Sequence, residues 1–209
     1  MVPPQFESDS DAVPTPASGA KLALRDQLST TRNRRPLADR LEAAREIARH
    51  LAEAPEVRRA ATVAAYVAVG AEPGTGPLLQ ALAGAGKRVV LPVLLPDGDL
   101  DWAAYAGDAA LVPARYGLLE PAGARLGVDA VATADVVLLP GLAVSARGDR
   151  LGRGGGSYDR ALARVPVGTF TCVLLHDDEV GVDVPVEPHD RPVTAAAGPS
   201  GITRFATTF

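Results

Sequence analysis

A single cysteine, Cys172, stands in the 209 residues, so the chain can form no internal disulfide and no cysteine-cluster metal site. It lies in the apolar run Thr169–Leu175, where its expected role is that of a small buried strand residue. Lysine is nearly as scarce: among 21 lysines and arginines, Lys21 and Lys87 are the only lysines. No apolar run approaches the roughly 20 residues that span a bilayer, and residues 1–18 lack the basic start and apolar middle of a secretion signal. A net charge of −4 leaves no global basic field of the kind that favours nucleic acid. No repeat with a period of about 20–50 residues is visible. The expectation is a cytoplasmic protein with no membrane and no nucleic acid among its partners, in which any anionic ligand is met by local groups.

What is present is ordinary globular composition, 47% hydrophobic and 22% charged, enough to build one α/β domain over residues 19–209. Residues 1–18 hold Pro3, Pro4, Pro14 and Pro16 with Glu7, Asp9 and Asp11 and no basic residue, which reads as a disordered tail. Lys21 to Arg34 reads as a helix with its basic residues exposed. Leu37, Leu41, Ala44, Ala48 and Leu51 recur at helical spacing in a second helix, with Pro36 at its start. Short apolar runs then alternate with helical ones, the pattern of crossover units on a mainly parallel sheet covered on both faces. The predicted strands are Thr62–Val69, Arg88–Val93, Asp135–Leu139 and Thr169–Leu175, with Leu100–Tyr105 and Thr194–Ala197 as edge strands. Pro92 marks the end of its strand, because proline lacks the N–H of a central ladder. Thr75–Ala85 and Tyr158–Arg164 read as helices.

The most informative stretch runs from Leu138 to Arg160, where an apolar strand leads into Gly152, Gly154, Gly155 and Gly156 among Arg147, Arg150 and Arg153. Backbone without side chains lets N–H groups close on phosphate oxygens, and guanidinium groups supply forked positive charge. The order strand, loop, helix puts such a ligand at the carboxyl end of a strand. Neither the Gly-x-x-x-x-Gly-Lys-Ser/Thr loop nor a dinucleotide fingerprint is present. A flexible turn is the plain alternative for the glycines alone, and a helix cap is the plain alternative for Asp159.

The segment Gly148-Asp-Arg-Leu-Gly-Arg-Gly-Gly-Gly-Ser-Tyr-Asp159 resembles the signature of the 5-formyltetrahydrofolate cyclo-ligases, also called methenyltetrahydrofolate synthetases. Further elements follow in the family's order over about residues 20–205: Lys21-x-x-x-Arg25, Glu72-x-x-Thr75, Tyr116-Gly-Leu-Leu-Glu-Pro121 and Pro185-Val-Glu-Pro-His-Asp190. The resemblance implies a three-layer, Rossmann-like α/β fold with a mainly parallel central sheet flanked by helices. It also implies cyclisation of 5-formyltetrahydrofolate to 5,10-methenyltetrahydrofolate, dependent on ATP and Mg²⁺, with release of ADP and phosphate.

Carried over position by position, the resemblance gives ATP to Lys21, Arg25 and the loop Arg150, Leu151, Gly152, Arg153, Gly154, Gly155, Gly156, Ser157 and Tyr158. It gives the folate to Val67, Glu72, Arg153, Gly154, Gly155, Gly156 and Ser157, and Mg²⁺ to Asp159 and Asp190. Arg150, Arg153 and Lys21 would serve catalysis, and a monomer is expected. His189 is read as orienting its loop by hydrogen bonding, and Glu120, beside Pro121, as a turn residue outside the site. His50 and His176 are read as structural or exposed.

Two departures stand out. The family loop commonly reads Gly-Tyr-Tyr-Asp where this chain has Ser157, so one ring that could pack on the folate is gone, a contact worth about 0.5–1.5 kcal/mol beyond its area. Where the family often has Asp-Glu-Gln, this chain has Asp177-Asp178-Glu179, which puts a substrate contact by Glu179 in question. Two other functions stay open at this point: a folate-binding protein that does not turn over, and an ATP-dependent phosphotransfer enzyme with another small acceptor.

Overall fold

The computed structural model describes residues 16–206. Helix α1 covers Pro16–Asn33, so positions 16–18 of the expected tail are helical and the remainder of that tail lies outside the described residues. Then come α2 (Leu37–Glu53), α3 (Pro55–Arg59), β1 (Thr62–Ala64), α4 (Gly76–Gly84), β2 (Arg88–Leu94), β3 (Leu100–Ala104), β4 (Leu111–Pro113), β5 (Leu119–Pro121) and β6 (Val136–Pro140). The chain continues through β7 (Ala143–Val144), β8 (Arg150–Leu151), α5 (Ser157–Leu162), β9 (Phe170–Leu174), β10 (Ala195–Gly198) and β11 (Gly201–Arg204).

Seven strands form one sheet in the order β11-β10-β9-β6-β1-β2-β3. Its five central strands are parallel, and the outer pairs β10–β11 and β2–β3 are antiparallel. Successive side chains of a strand point to opposite faces, and the core divides accordingly. Val136, Leu138, Cys172 and Leu174 pack with Ile47, Leu51, Leu78 and Leu82 of α2 and α4. Val137, Leu139, Val173 and Leu175 pack on the other face with Trp102, Val131, Ala161 and Leu162. This is the expected three-layer arrangement, and Cys172 is the buried strand residue foreseen, its thiol pushed to a higher pKa by burial.

The boundaries differ from the sequence reading where tertiary neighbours decide them. β1 stops at Ala64, five residues short of the expected end, because the chain beyond Ala65 leaves the ladder to line a cleft. β2 runs through Pro92 to Leu94. The last β1 partner is Ala64, opposite Val90, so no bond to β1 is asked of the proline nitrogen, while Pro92 sits opposite Trp102 of β3. β10 is not an edge: β11 pairs with it from outside, and this four-residue, half-polar strand carried no periodic signal. β3 is an edge, as expected.

The chain runs from β1 to β2 on one side and returns to β6 on the other. The sheet's order therefore reverses beside β1, and the crevice between the carboxyl ends of β1 and β6 is where an open α/β sheet binds its ligand. The small hairpin β7–β8 rises there from the end of β6, and Leu24 and Leu28 of α1 pack against its Leu142, Ala143 and Leu151. The hairpin thus seats α1 over the crevice.

Candidate active site

A cleft of about 620 Å³ opens at this crevice, within the range of roughly 300–1,000 Å³ usual for small-molecule sites. Its floor is Tyr66, Val67 and Val69 beyond β1 with Pro140 and Gly141 beyond β6. One wall is the glycine loop from Arg150 to Asp159. Lys21 and Arg25 of α1 stand beside it with Asp190, and Leu94, Tyr116, Leu118 and Leu119 lie opposite. Every site residue expected from the sequence lines this one cleft: Lys21, Arg25, Val67, Glu72, the whole run Arg150–Asp159 and Asp190. Arg147 does not; its exposed side chain lies 3.6 Å from Asp149 instead.

The cations are held in place by carboxylates. Lys21 is buried, and its Nζ donates to Glu187 at 2.8 Å and to Asp190 at 2.5 Å. Burial works against the ammonium, yet the two carboxylates outweigh it and hold the Lys21 pKa above the ordinary lysine value. Burial also opposes the Asp190 charge, but Lys21 and the Glu187 N–H keep its pKa below the usual carboxylate range. Arg150 donates to Asp159 Oδ1 at 3.0 Å and to the Pro140 carbonyl at 3.2 Å, with its guanidinium 5.9 Å from the Tyr158 ring centroid. Burial, with Glu72 nearby, raises the Tyr158 pKa, so the phenol stays protonated. Arg153 reaches Glu72 at 3.0 Å, and the other Glu72 oxygen accepts the Val69 N–H at 2.9 Å.

Two glycines show why the loop sequence is restricted. A Cβ on Gly152 would stand 2.7 Å from Arg150 Nη1, so a side chain there would displace the guanidinium. Gly156 has a φ of 67°, the left-handed conformation that lets the loop turn into α5. Arg25 Nε donates to the Gly152 carbonyl, and Arg160 Nη2 bridges the carbonyls of Gly155 and Gly98, tying the loop to α1 on one side and to the β2–β3 turn on the other.

Some of the other residues take different roles from those expected. His189 is exposed and 3.8–3.9 Å from Asp190 and Glu187, too far to orient its loop; Asp190 does so itself by accepting the Glu187 N–H at 2.7 Å. Glu120, expected outside the site, lines the cleft, and there it accepts the Leu94 N–H at 2.9 Å and so pins the β4–β5 hairpin to β2. Glu179 points inward to Arg32 and lines no part of the cleft. His176 is buried, and burial lowers its pKa; His50 meets the Pro199 carbonyl at 3.1 Å.

Three participants escaped the sequence reading. Arg32 continues the α1 stripe of Lys21, Arg25 and Leu28 at intervals of three and four, a signal that was available. Glu187 sits inside a segment read only for its His-Asp end. Tyr116, exposed at the tip of the hairpin with a φ of 59°, brings an aromatic ring to the cleft from an element noted only for its Glu-Pro.

A profile of the 5-formyltetrahydrofolate cyclo-ligase family matches residues 17–199. The 5-formyltetrahydrofolate cyclo-ligase of Mycolicibacterium smegmatis is 42% identical over 143 residues, covering 66% of this chain and 73% of that protein. The Escherichia coli K12 protein of the same name is 37% identical over 156 residues, 71% of this chain and 83% of its own. The fold matches the solved structure of the Aquifex aeolicus 5,10-methenyltetrahydrofolate synthetase with a TM-score of 0.77 at 24% identity, over 90% of this chain and 94% of that one. With the site residues gathered at the switch point of the sheet and a family match spanning nearly all of the described residues, the chain belongs to the 5-formyltetrahydrofolate cyclo-ligase family.

Proposed function

We propose that this chain closes 5-formyltetrahydrofolate to 5,10-methenyltetrahydrofolate at the expense of ATP, with the nucleotide phosphates on Lys21, Arg25 and the Arg150–Tyr158 loop and the folate on Val67, Glu72 and the Gly154–Ser157 part of that loop. The observation that carries this reading is the convergence of four basic side chains, Lys21, Arg25, Arg150 and Arg153, with a bare glycine loop on one cleft. A formyl oxygen is a poor leaving group. Transfer of the γ-phosphoryl group of ATP to it releases ADP and turns it into a phosphate ester. The lone pair of N10 then forms a bond to the formyl carbon, the N10 proton is lost, and the carbon–oxygen bond breaks as phosphate leaves.

Phosphoryl transfer asks a protein mainly for position and charge neutralisation, which suits arginine forks and backbone N–H groups and needs no nucleophilic side chain. Arg150 and Arg153 would hold the transferring group, and Lys21 would neutralise the nucleotide. The carboxylates of Asp159 and Asp190 line the same cleft and are hard oxygen donors of the kind Mg²⁺ takes, and Asp190 clusters with Glu187 and His189, their ligand atoms within 4.8 Å of one another. When bound, Mg²⁺ would supply neutralisation of phosphate charge. Asp159 and Asp190 hold Arg150 and Lys21, so the same carboxylates also keep the phosphate cations positioned before a ligand arrives. We read the enzyme as a cytoplasmic monomer, which fractionation and sedimentation would check.

The test is near-ultraviolet absorbance of purified protein with 5-formyltetrahydrofolate and MgATP, in which the methenyl chromophore should rise only when folate, nucleotide and metal are all present. Folate binding by calorimetry without that rise would instead support a binding protein. Asp159→Asn, which keeps a hydrogen-bond acceptor for Arg150, is expected to lower turnover by at least about a hundredfold with an unchanged circular dichroism spectrum. Full activity in that variant would remove Asp159 from the metal site.

A further inference from the structure

Arg153 and Glu72 hold each other at 3.0 Å, although one side of this contact hangs from the phosphate loop and the other lies at the position proposed for the folate. The two partners are unequal. The Arg153 side chain is 59% exposed, whereas the Glu72 side chain is 5% exposed and fixed to its own backbone by the Val69 N–H. A phosphate offers an exposed guanidinium more charge and more acceptor oxygens than one carboxylate does, so bound nucleotide should win Arg153. Glu72 would then be a buried carboxylate without its contacting cation, with Arg32 as the remaining positive charge felt from the protein interior. Such a group is costly until it accepts new hydrogen bonds. The N–H groups of a pterin are the donors that the second substrate carries.

Resting on the cyclo-ligase assignment of the two substrates, we propose that the Arg153–Glu72 contact is a strap across the cleft that couples them: nucleotide phosphate draws Arg153 away and uncovers Glu72, so ATP and the reduced folate each strengthen the binding of the other. The contact therefore guards the folate position until phosphate is in place. By linkage the two enhancements are equal.

Calorimetric titration of the full chain with 5-formyltetrahydrofolate, with and without Mg²⁺ and the β,γ-imido analogue of ATP, tests this. The wild-type protein should bind the folate about tenfold more tightly when the analogue is present, within the usual range of coupling between sites. Arg153→Ala should bind the folate several-fold more tightly than wild type without nucleotide, and the effect of the analogue should shrink to about twofold or less. This sign is opposite to that of an arginine that merely contacts the folate. Unchanged or weaker nucleotide-free binding in Arg153→Ala, or no coupling in the wild type, overturns the strap. Glu72→Gln separates this from the underlying assignment. If it weakens folate binding while Arg153→Ala fails to tighten it, the folate site stands and the strap falls. If it leaves folate binding unchanged, Glu72 is not a folate residue and the strap falls, while the family assignment stands on its own match.

Discussion

Arg32–Glu179 and Arg153–Glu72 are both arginine–glutamate pairs with a buried carboxylate, and they differ in where the arginine lies. Arg32 is as buried as its partner, with side-chain exposures of 3% and 2%, and meets it in a two-pronged contact at 2.6 Å for each prong while also donating to the Gly141 carbonyl at 2.7 Å. Arg153 makes a single contact and is mostly in solvent. The first pair joins α1 to the segment after β9 and to the cleft floor, with both of its side chains almost fully buried. The second can be exchanged at the surface. Burial of both charges makes an arginine part of the frame, and burial of the carboxylate alone leaves an acceptor poised for replacement.

The comparison breaks most visibly in stability. Arg32→Ala leaves the Glu179 charge buried and unpaired and should lower the unfolding free energy by about 3–5 kcal/mol, whereas Arg153→Ala, in which Glu72 keeps the Val69 N–H and gains the water that the exposed arginine vacates, should lower it by about 1 kcal/mol. Urea denaturation of the two variants checks this, and similar losses in both would erase the distinction. Gly152→Ala is expected next in size. Its Cβ would push Arg150 Nη1, and misplacement of a group by about 1 Å can lower turnover on the order of a hundredfold, with little change in melting temperature.

The smallest effect concerns a third arginine pair, whose arginine is intermediate in exposure between the other two. Arg164 meets Asp99 at 2.5 Å, and this hydrogen bond holds the Asp99 pKa below its ordinary value against the opposing effect of burial. A carboxylate whose pKa is depressed on folding contributes stability above its unfolded pKa of about 3.9 and loses that contribution as pH falls through the folded value. Asp99→Asn should thus cost less than about 1 kcal/mol at pH 7 and reduce the loss of stability seen below about pH 4. An acid-denaturation curve identical to that of the wild type would show that Asp99 plays no part in it.

The glycine loop was legible from its own composition, whereas Lys21, Arg25, Val67, Glu72 and Asp190 were singled out by the family resemblance and meet the loop in one cleft. Lys21 and Arg25 lie one helical turn apart, and the glycines between Arg150 and Asp159 fall in one uninterrupted loop. The central strands were legible for a related reason: buried parallel strands are continuous apolar runs such as Val136–Leu139. What stayed hidden depends on distant partners. β4, β5, β7 and β8 are two or three residues long, below the length at which alternation can be seen, and β11 exists because β10 offers it an edge. Glu187 and Glu179 look alike in sequence as acids near a chain turn, but one meets Lys21 and the other Arg32 only once α1 has docked.

The Lys21 contacts span nearly the whole described chain: Glu187 and Asp190 follow it by 166 and 169 positions. A chain emerging from the ribosome can therefore form most of the parallel sheet well before the buried ammonium finds its counter-charges. Premature termination before residue 187 would leave a protein with four of its five parallel strands and an unpaired lysine at the mouth of its cleft, unable to compose the nucleotide corner. During synthesis, the corner that receives the nucleotide trails the sheet that supports it.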